Sequence, residues 1–271
     1  MAAWDVFLFA LAVLVGVLLV LTHLSTQLLQ EAVGSASTDG AASTADRATP
    51  EADELAADPE PALRPSSAAA SGTQTDQPSL RLSTRSLWAN VVATQALFGL
   101  LLAAIAWYAG VPAAAFGVVA DAVSSTALAV GIGVGVVFYM LNELSVRGLT
   151  RLGTEPPTEL RAALAAETPG GWAVLLFVVL PVIAIFEELL FRGAMIGALS
   201  VGFDVPVWLL AVVSSVAFGL GHSAQGRAGI LVTSLLGVGL AGVFIVTESL
   251  FVVILAHYVI NAAEFLVHER D

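Results

Sequence analysis

Residues 171–200 read GWAVLLFVVLPVIAIFEELLFRGAMIGALS, an apolar run interrupted by Glu187, Glu188 and Arg192. The run exceeds the roughly 20 apolar residues that carry a helix across the hydrocarbon core of a bilayer. A charge at the bilayer centre costs about 2.5–3.5 kcal/mol on insertion scales, so such groups face a protein interior or a wet cavity. The stretch therefore predicts a membrane helix with a functional site on it, and partners for its charges on other helices.

The rest of the chain agrees in class. Its 271 residues are 58% hydrophobic and 12% charged, half the charged share of about 25% in soluble domains, and the mean hydropathy is +0.89. Apolar runs near 4–28, 87–108, 124–145, 171–199, 206–223, 228–247 and 249–267 predict about seven spans. None alternates as barrel strands do, and the expected fold is an all-α polytopic bundle in the lipid bilayer of the cell membrane. The absence of cysteine excludes thiolate nucleophiles and cysteine-bound metal. A net charge of −12, with every basic residue an arginine, argues against nucleic acid as a partner.

Four regions follow. Residues 1–30 hold the first span, read as retained rather than cleaved because no basic segment precedes it. Residues 31–80, with nine acids, two arginines and five prolines, are too polar to bury a core and predict a disordered acidic linker. Residues 81–170 hold two further spans and a short interfacial helix over 156–167. Residues 171–267 hold the rest. Arginines near span ends stay cytoplasmic, and Arg81, Arg85, Arg147, Arg151, Arg161, Arg227 and Arg270 then put the linker and C-terminus in the cytoplasm and the N-terminus outside. Gly131, Gly133 and Gly135 echo a nucleotide-binding loop, but inside an apolar helix they predict close helix packing.

Within the spans polar residues are scarce, which gives His222, His257 and Asn261 weight beside the charged triplet. Residues four apart share a helix face, so Glu188 can pair with Arg192 while Glu187 points elsewhere, and His257 and Asn261 face one place. A carboxylate and an imidazole can deprotonate a water, and a histidine N–H with an asparagine amide can donate to an oxyanion. Together these groups suffice for peptide hydrolysis. Glu187, His222 and His257 are also a possible zinc set, although the helical HExxH spacing is missing; no metal is favoured and zinc stays as the alternative. Asn90, Gln95, Asn142, Glu143, Glu248 and Glu264 are read as residues near span ends.

Three short motifs, Glu187-Glu188-Leu-Leu-Phe-Arg192, Phe218-Gly-Leu-Gly-His222 and His257-Tyr-Val-Ile-Asn261, resemble in type and order those of the CPBP intramembrane proteases, the CAAX prenyl proteases and bacteriocin-processing enzymes also called Abi-domain proteins. The resemblance covers about 170–267. It implies an endopeptidase acting on a membrane protein or peptide, prenylated for some relatives, in which Glu187 and His222 activate water, His257 and Asn261 form the oxyanion site, and Glu188 with Arg192 orient their helix. The family is described both as metalloproteases and as glutamate-type enzymes. Two other classes compete. An ion-coupled transporter would use the same charges as a path but usually carries paired broken helices, and a non-catalytic scaffold would have lost a motif residue. One difficulty is depth: on a straight helix Glu187 lies beyond mid-membrane while His222 is close to Arg227. A break at Pro181, which lacks an N–H, would make 171–180 an interfacial or kinked piece and open the cavity to the cytoplasm.

Overall fold

The computed structural model describes residues 1–45, 83–119, 122–151, 153 and 159–270. Residues Met1–Gln27 and Ser83–Asp271 form one compact unit and Leu28–Leu82 a second. Of the second, the helical backbone of residues 28–45 is described, as the continuation of helix α1 (Trp4–Ala45). The remainder of the linker expected over 31–80 lies outside the described residues.

Among its described residues the first unit has helices and no strand. After α1 come α2 (Thr84–Tyr108), α3 (Ser125–Arg151), a short α4 (Glu159–Leu164), the long α5 (Pro169–Phe203), α6 (Val207–Gly221), α7 (Gly226–Thr247) and α8 (Leu250–His268). Six segments among the described residues, Trp4–Ser25 and helices α2, α3, α5, α7 and α8 (the α7 segment starting at Ser223), are long and apolar enough to cross a membrane, and α6 is a shorter apolar helix. The chain is thus a multi-pass membrane protein. Local chemistry starts the helices where the sequence offers an oxygen: Thr168 accepts from the Gly171 N–H at 3.1 Å with Pro169 in the first turn, and Ser83 accepts from Ser86 N at 3.2 Å. Within the stretch 156–167, where a short interfacial helix is expected, the described residues hold the helix α4, Glu159–Leu164.

No break occurs at Pro181. Helix α5 runs through it, and the turn before it, Leu175–Val179, is π-helical, with the Leu180 N–H bonding to Leu175 O. A proline ring clashes with the carbonyl four residues earlier and leaves it without a donor; widening the preceding turn relieves the ladder without parting the helix. A second π-helical stretch, Leu189–Ala198, begins directly after Glu188 and includes Arg192. The depth difficulty is resolved by α6 instead. Asp204, with φ +54°, turns the chain between α5 and α6, and similar lengths of helix, 187–203 and 207–221, lead away from that turn. His222, at the C-terminal end of the short α6, therefore returns to the level of Glu187.

Packing surrounds α5. Phe7, Leu11 and Leu14 of α1 and Leu102 of α2 join Phe186, Leu190, Phe191 and Phe218 in one buried cluster, while Trp88 of α2 packs with Leu175, Val179 and Phe265 in another. Helix α3 lies along α8 at Gly131 and Gly135, where an added Cβ would come 2.9 Å from Leu255 and 2.6 Å from Val259; Gly133 faces open space. Two of the three glycines thus serve close packing. Gly135→Ala is expected to force α3 away from α8 and lower stability by about 1–3 kcal/mol, measured as the thermal midpoint in detergent, with Gly133→Ala as the unaffected control.

At the other end of α8 the span-end acids form a network. Arg161 of α4 bonds Glu264 at 3.0 Å and Glu269 at 2.7 Å, Asn142 donates to Glu264, and His268 meets Glu143 at 2.7 Å. Trp88 Nε1 donates to Leu164 O at 2.9 Å. These bonds moor α4 to α2 and α8.

Candidate active site

Glu188 and Arg192, four residues apart on α5, are both fully buried and paired, with Nη1 donating to Oε1 at 2.8 Å. Arg192 also donates through Nη2 to the Gly237 carbonyl of α7 at 3.1 Å, and its guanidinium lies 4.6 Å from the centre of the Phe218 ring. A planar, delocalised cation suits this place, since its face can lie on an aromatic ring while its edge bonds oxygens. The Ser214 hydroxyl donates to Phe191 O at 2.6 Å within the π-helical stretch, supplying a donor where the ladder is widened.

Glu188 has a second partner. His257 Nδ1 of α8 lies 2.6 Å from the same Oε1. A carboxylate bonded to arginine can only accept, so Nδ1 carries a hydrogen. His222 Nδ1 is 2.8 Å from its own helix's Phe218 carbonyl, another pure acceptor, and it too is protonated. Both imidazoles are thereby turned so that Nε2 points at Glu187: Oε2 lies 3.6 Å from His257 Nε2 and 3.9 Å from His222 Nε2. That Oε2 is buried and has no hydrogen-bond partner. Phe218 fills the space behind, with ring centres 4.7 Å from His222 and 5.9 Å from His257. Asn261, one turn beyond His257 on α8, is half-buried. Five of the six residues singled out from the sequence are thus joined by direct contacts on three helices, and Asn261 follows on the face of His257.

Sequence reasoning missed three features. The Gly237 carbonyl left no trace, because a backbone acceptor is the same at every residue. Glu188 was paired with Arg192 alone, and its hold on His257 joins residues 69 apart in sequence. Phe218 entered as a motif letter, and its contact with three site residues, Arg192, His222 and His257, emerges only from the packing.

Zinc chemistry can be tested against these positions. Two ligands of one zinc at about 2.1 Å each cannot be more than about 4.2 Å apart. Among the described residues, three potential ligands have donor atoms all within 4.8 Å of one another only at Glu143, Glu264 and His268, whose carboxylates are already engaged by Arg147, Arg161 and Asn142. Glu187, His222 and His257 have the right chemistry for zinc, with each Nδ1 anchored, and Glu187 Oε2 lies within that limit of either Nε2, but the three donor atoms are not all within 4.8 Å of one another, so as arranged they do not converge on one ion.

This constellation of buried acid pair, arginine and two turned imidazoles lies wholly within a segment, residues 169–263, that matches the family model "Type II CAAX prenyl endopeptidase Rce1-like". Residues 169–263 are thus similar to an Rce1-like domain. In general terms the Rce1-like domain is that of a CAAX-type intramembrane protease, and a membrane protein is the class of substrate it implies. No curated protein and no solved structure matches the chain. Helices α1 to α4 lie outside the Rce1-like domain, although α1 and α2 pack on it.

Proposed function

We propose that the Rce1-like domain hydrolyses a peptide bond with a water held by Glu187 and His222, without a metal ion. The observation that carries this reading is the orphaned Glu187 Oε2, an acceptor facing two imidazole nitrogens. A lone acceptor shut away from solvent costs free energy, and a water with two hydrogens satisfies it. One hydrogen reaches Glu187 Oε2 and the other His222 Nε2, since a span of 3.9 Å accommodates two ordinary hydrogen bonds.

In the reaction the water oxygen attacks the scissile carbonyl carbon while Glu187 takes its proton. The carbonyl oxygen becomes an oxyanion that accepts from His257 Nε2–H and the Asn261 amide. For this His257 carries hydrogens on both nitrogens, and the buried charges of Glu187, Glu188, Arg192 and His257 then sum to zero. As the tetrahedral adduct collapses, the C–N bond breaks and the proton held by Glu187 passes to the departing amine. Glu188 and Arg192 work at one remove: Arg192 fixes Glu188, which fixes and charges His257. The substrate is a prenylated or otherwise membrane-anchored peptide, taken from the cytoplasmic face on which the arginine pattern puts the linker and C-terminus.

The test is cleavage of an S-farnesylated CAAX peptide by the purified protein, followed by mass spectrometry. The expected result is a single cut that survives exhaustive chelation. Activity lost to chelator and restored by zinc would overturn the metal-free mechanism, and absence of cleavage of farnesylated and unmodified peptides alike would overturn the protease reading. In sealed inside-out vesicles an added impermeant peptide should be cut, and protection there would reverse the orientation.

A further inference from the structure

A second buried acceptor without a partner lies outside the Rce1-like domain. Gln95 of α2 is half-buried, and its Oε1 is enclosed and unbonded. It is not at a span end, as its sequence position suggested, but well inside α2. Trp88, Val92, Gln95, Gly99 and Leu102 follow the alternating spacing of three and four that marks one helix face, and the others on this face pack on α5. Trp88 belongs to the buried cluster of Leu175 and Val179, against which Val92 and Ile183 also pack, an added Cβ on Gly99 would lie 3.4 Å from Phe186, and Leu102 belongs to the cluster of Phe186 and Leu190. Gln95 thus interrupts an apolar seam one turn before Gly99, which lies against Phe186, the residue preceding Glu187.

A glutamine in that position has no structural task that leucine or methionine would not do better, since an unpaired amide oxygen at membrane depth costs free energy. A peptide drawn into the same depth has the complementary problem: unwound for hydrolysis, its backbone N–H groups lack acceptors. Asparagine and glutamine amides can also rotate to offer either edge, so the side chain can meet a strand at its N–H. We propose that Gln95 Oε1 accepts a backbone N–H of the substrate beside the scissile bond, making α2 the wall that holds the extended chain against Glu187. This inference rests on the protease reading. It assigns part of the substrate site to a helix that the family match does not reach.

The test uses full-length protein in detergent with S-farnesylated CAAX peptides, each N-methylated at one amide other than the scissile one, and compares wild type, Gln95→Leu, Gln95→Met and Glu187→Gln. Wild type should lose about tenfold in kcat/KM at one methylated position, equivalent to about 1.4 kcal/mol. Gln95→Leu and Gln95→Met should show that loss already on the unmethylated peptide, mainly in KM, and no further loss on methylation at that position. Equal sensitivity to methylation in all active proteins would overturn the proposal, as would failure of both Gln95 variants to fold, which would make the residue structural. If wild type does not cut the peptides, or Glu187→Gln cuts them as wild type does, the protease reading itself fails and takes this inference with it; normal dependence on Glu187 with unaltered Gln95 variants sinks the Gln95 contact alone.

Discussion

Glu187→Gln is expected to reduce cleavage of a farnesylated CAAX peptide by about 10²–10⁴-fold, the range supplied by a positioned general base, while leaving the folded protein as stable as wild type or more so. The substitution preserves shape and removes only the charge and the ability to take a proton. Without the charge of Glu187, His257 keeps its hydrogen on Nδ1 alone, the remaining buried charges of Glu188 and Arg192 still cancel, and the new amide N–H₂ faces the Nε2 lone pairs of His222 and His257, which lie 3.9 and 3.6 Å from Oε2 in the wild type. Stability and turnover should therefore move in opposite directions. His222→Ala should fall into the same range, and the double variant should lose far less than the product of the two, because both hold one water. The measurement is single-turnover hydrolysis beside a thermal midpoint in the same detergent. Wild-type turnover in Glu187→Gln would remove it from water activation, and a collapse of the midpoint would make it a structural residue.

Arg192→Met is expected to be the most destabilising single change in the domain, by about 3–5 kcal/mol, the usual effect of removing one member of a buried ion pair. The side chain is fully enclosed, so no solvent takes over its role. Three partners lose it at once: Glu188 at 2.8 Å, Gly237 O at 3.1 Å and the Phe218 ring. Methionine fills much of the volume, which isolates the electrostatic loss from a cavity. Adding Glu188→Gln should recover most of the stability, because the stranded carboxylate is neutralised. It should not recover activity, since an uncharged amide cannot sustain the doubly protonated His257. Chemical unfolding in mixed micelles reads the first quantity and peptide hydrolysis the second. Recovery of both in the double variant would show that the pair braces the helix and does nothing for His257.

Much of this arrangement was legible in the sequence because hydrophobic run length and the four-residue repeat are local signals. They gave the membrane-spanning runs, the pairing of Glu188 with Arg192 and the common face of His257 and Asn261. The resemblance on three short motifs named the segment that the Rce1-like match spans. What stayed hidden is non-local. A π-helical turn has no residue signature apart from the proline that follows one of them, and Pro181 by itself reads as a break. The level at which His222 meets Glu187 depends on two helix lengths either side of Asp204, not on any residue near the histidine. Gln95 was grouped with span-end polar residues because hydropathy reports depth only coarsely, whereas Gly99, one turn further along the same face, lies against Phe186.

The hairpin of α5 and α6 has a consequence for how a substrate is chosen. Two arms of matched length folded at Asp204 act as a caliper whose jaws, Glu187 and His222, close at one height in the bilayer. If the domain is the protease proposed above, a chain anchored by a lipid at the surface would present to those jaws only the bond whose distance from its anchor equals that height, whatever side chains flank it. Selection of this kind counts residues instead of reading them, and it would move by one bond for each residue added to the tether.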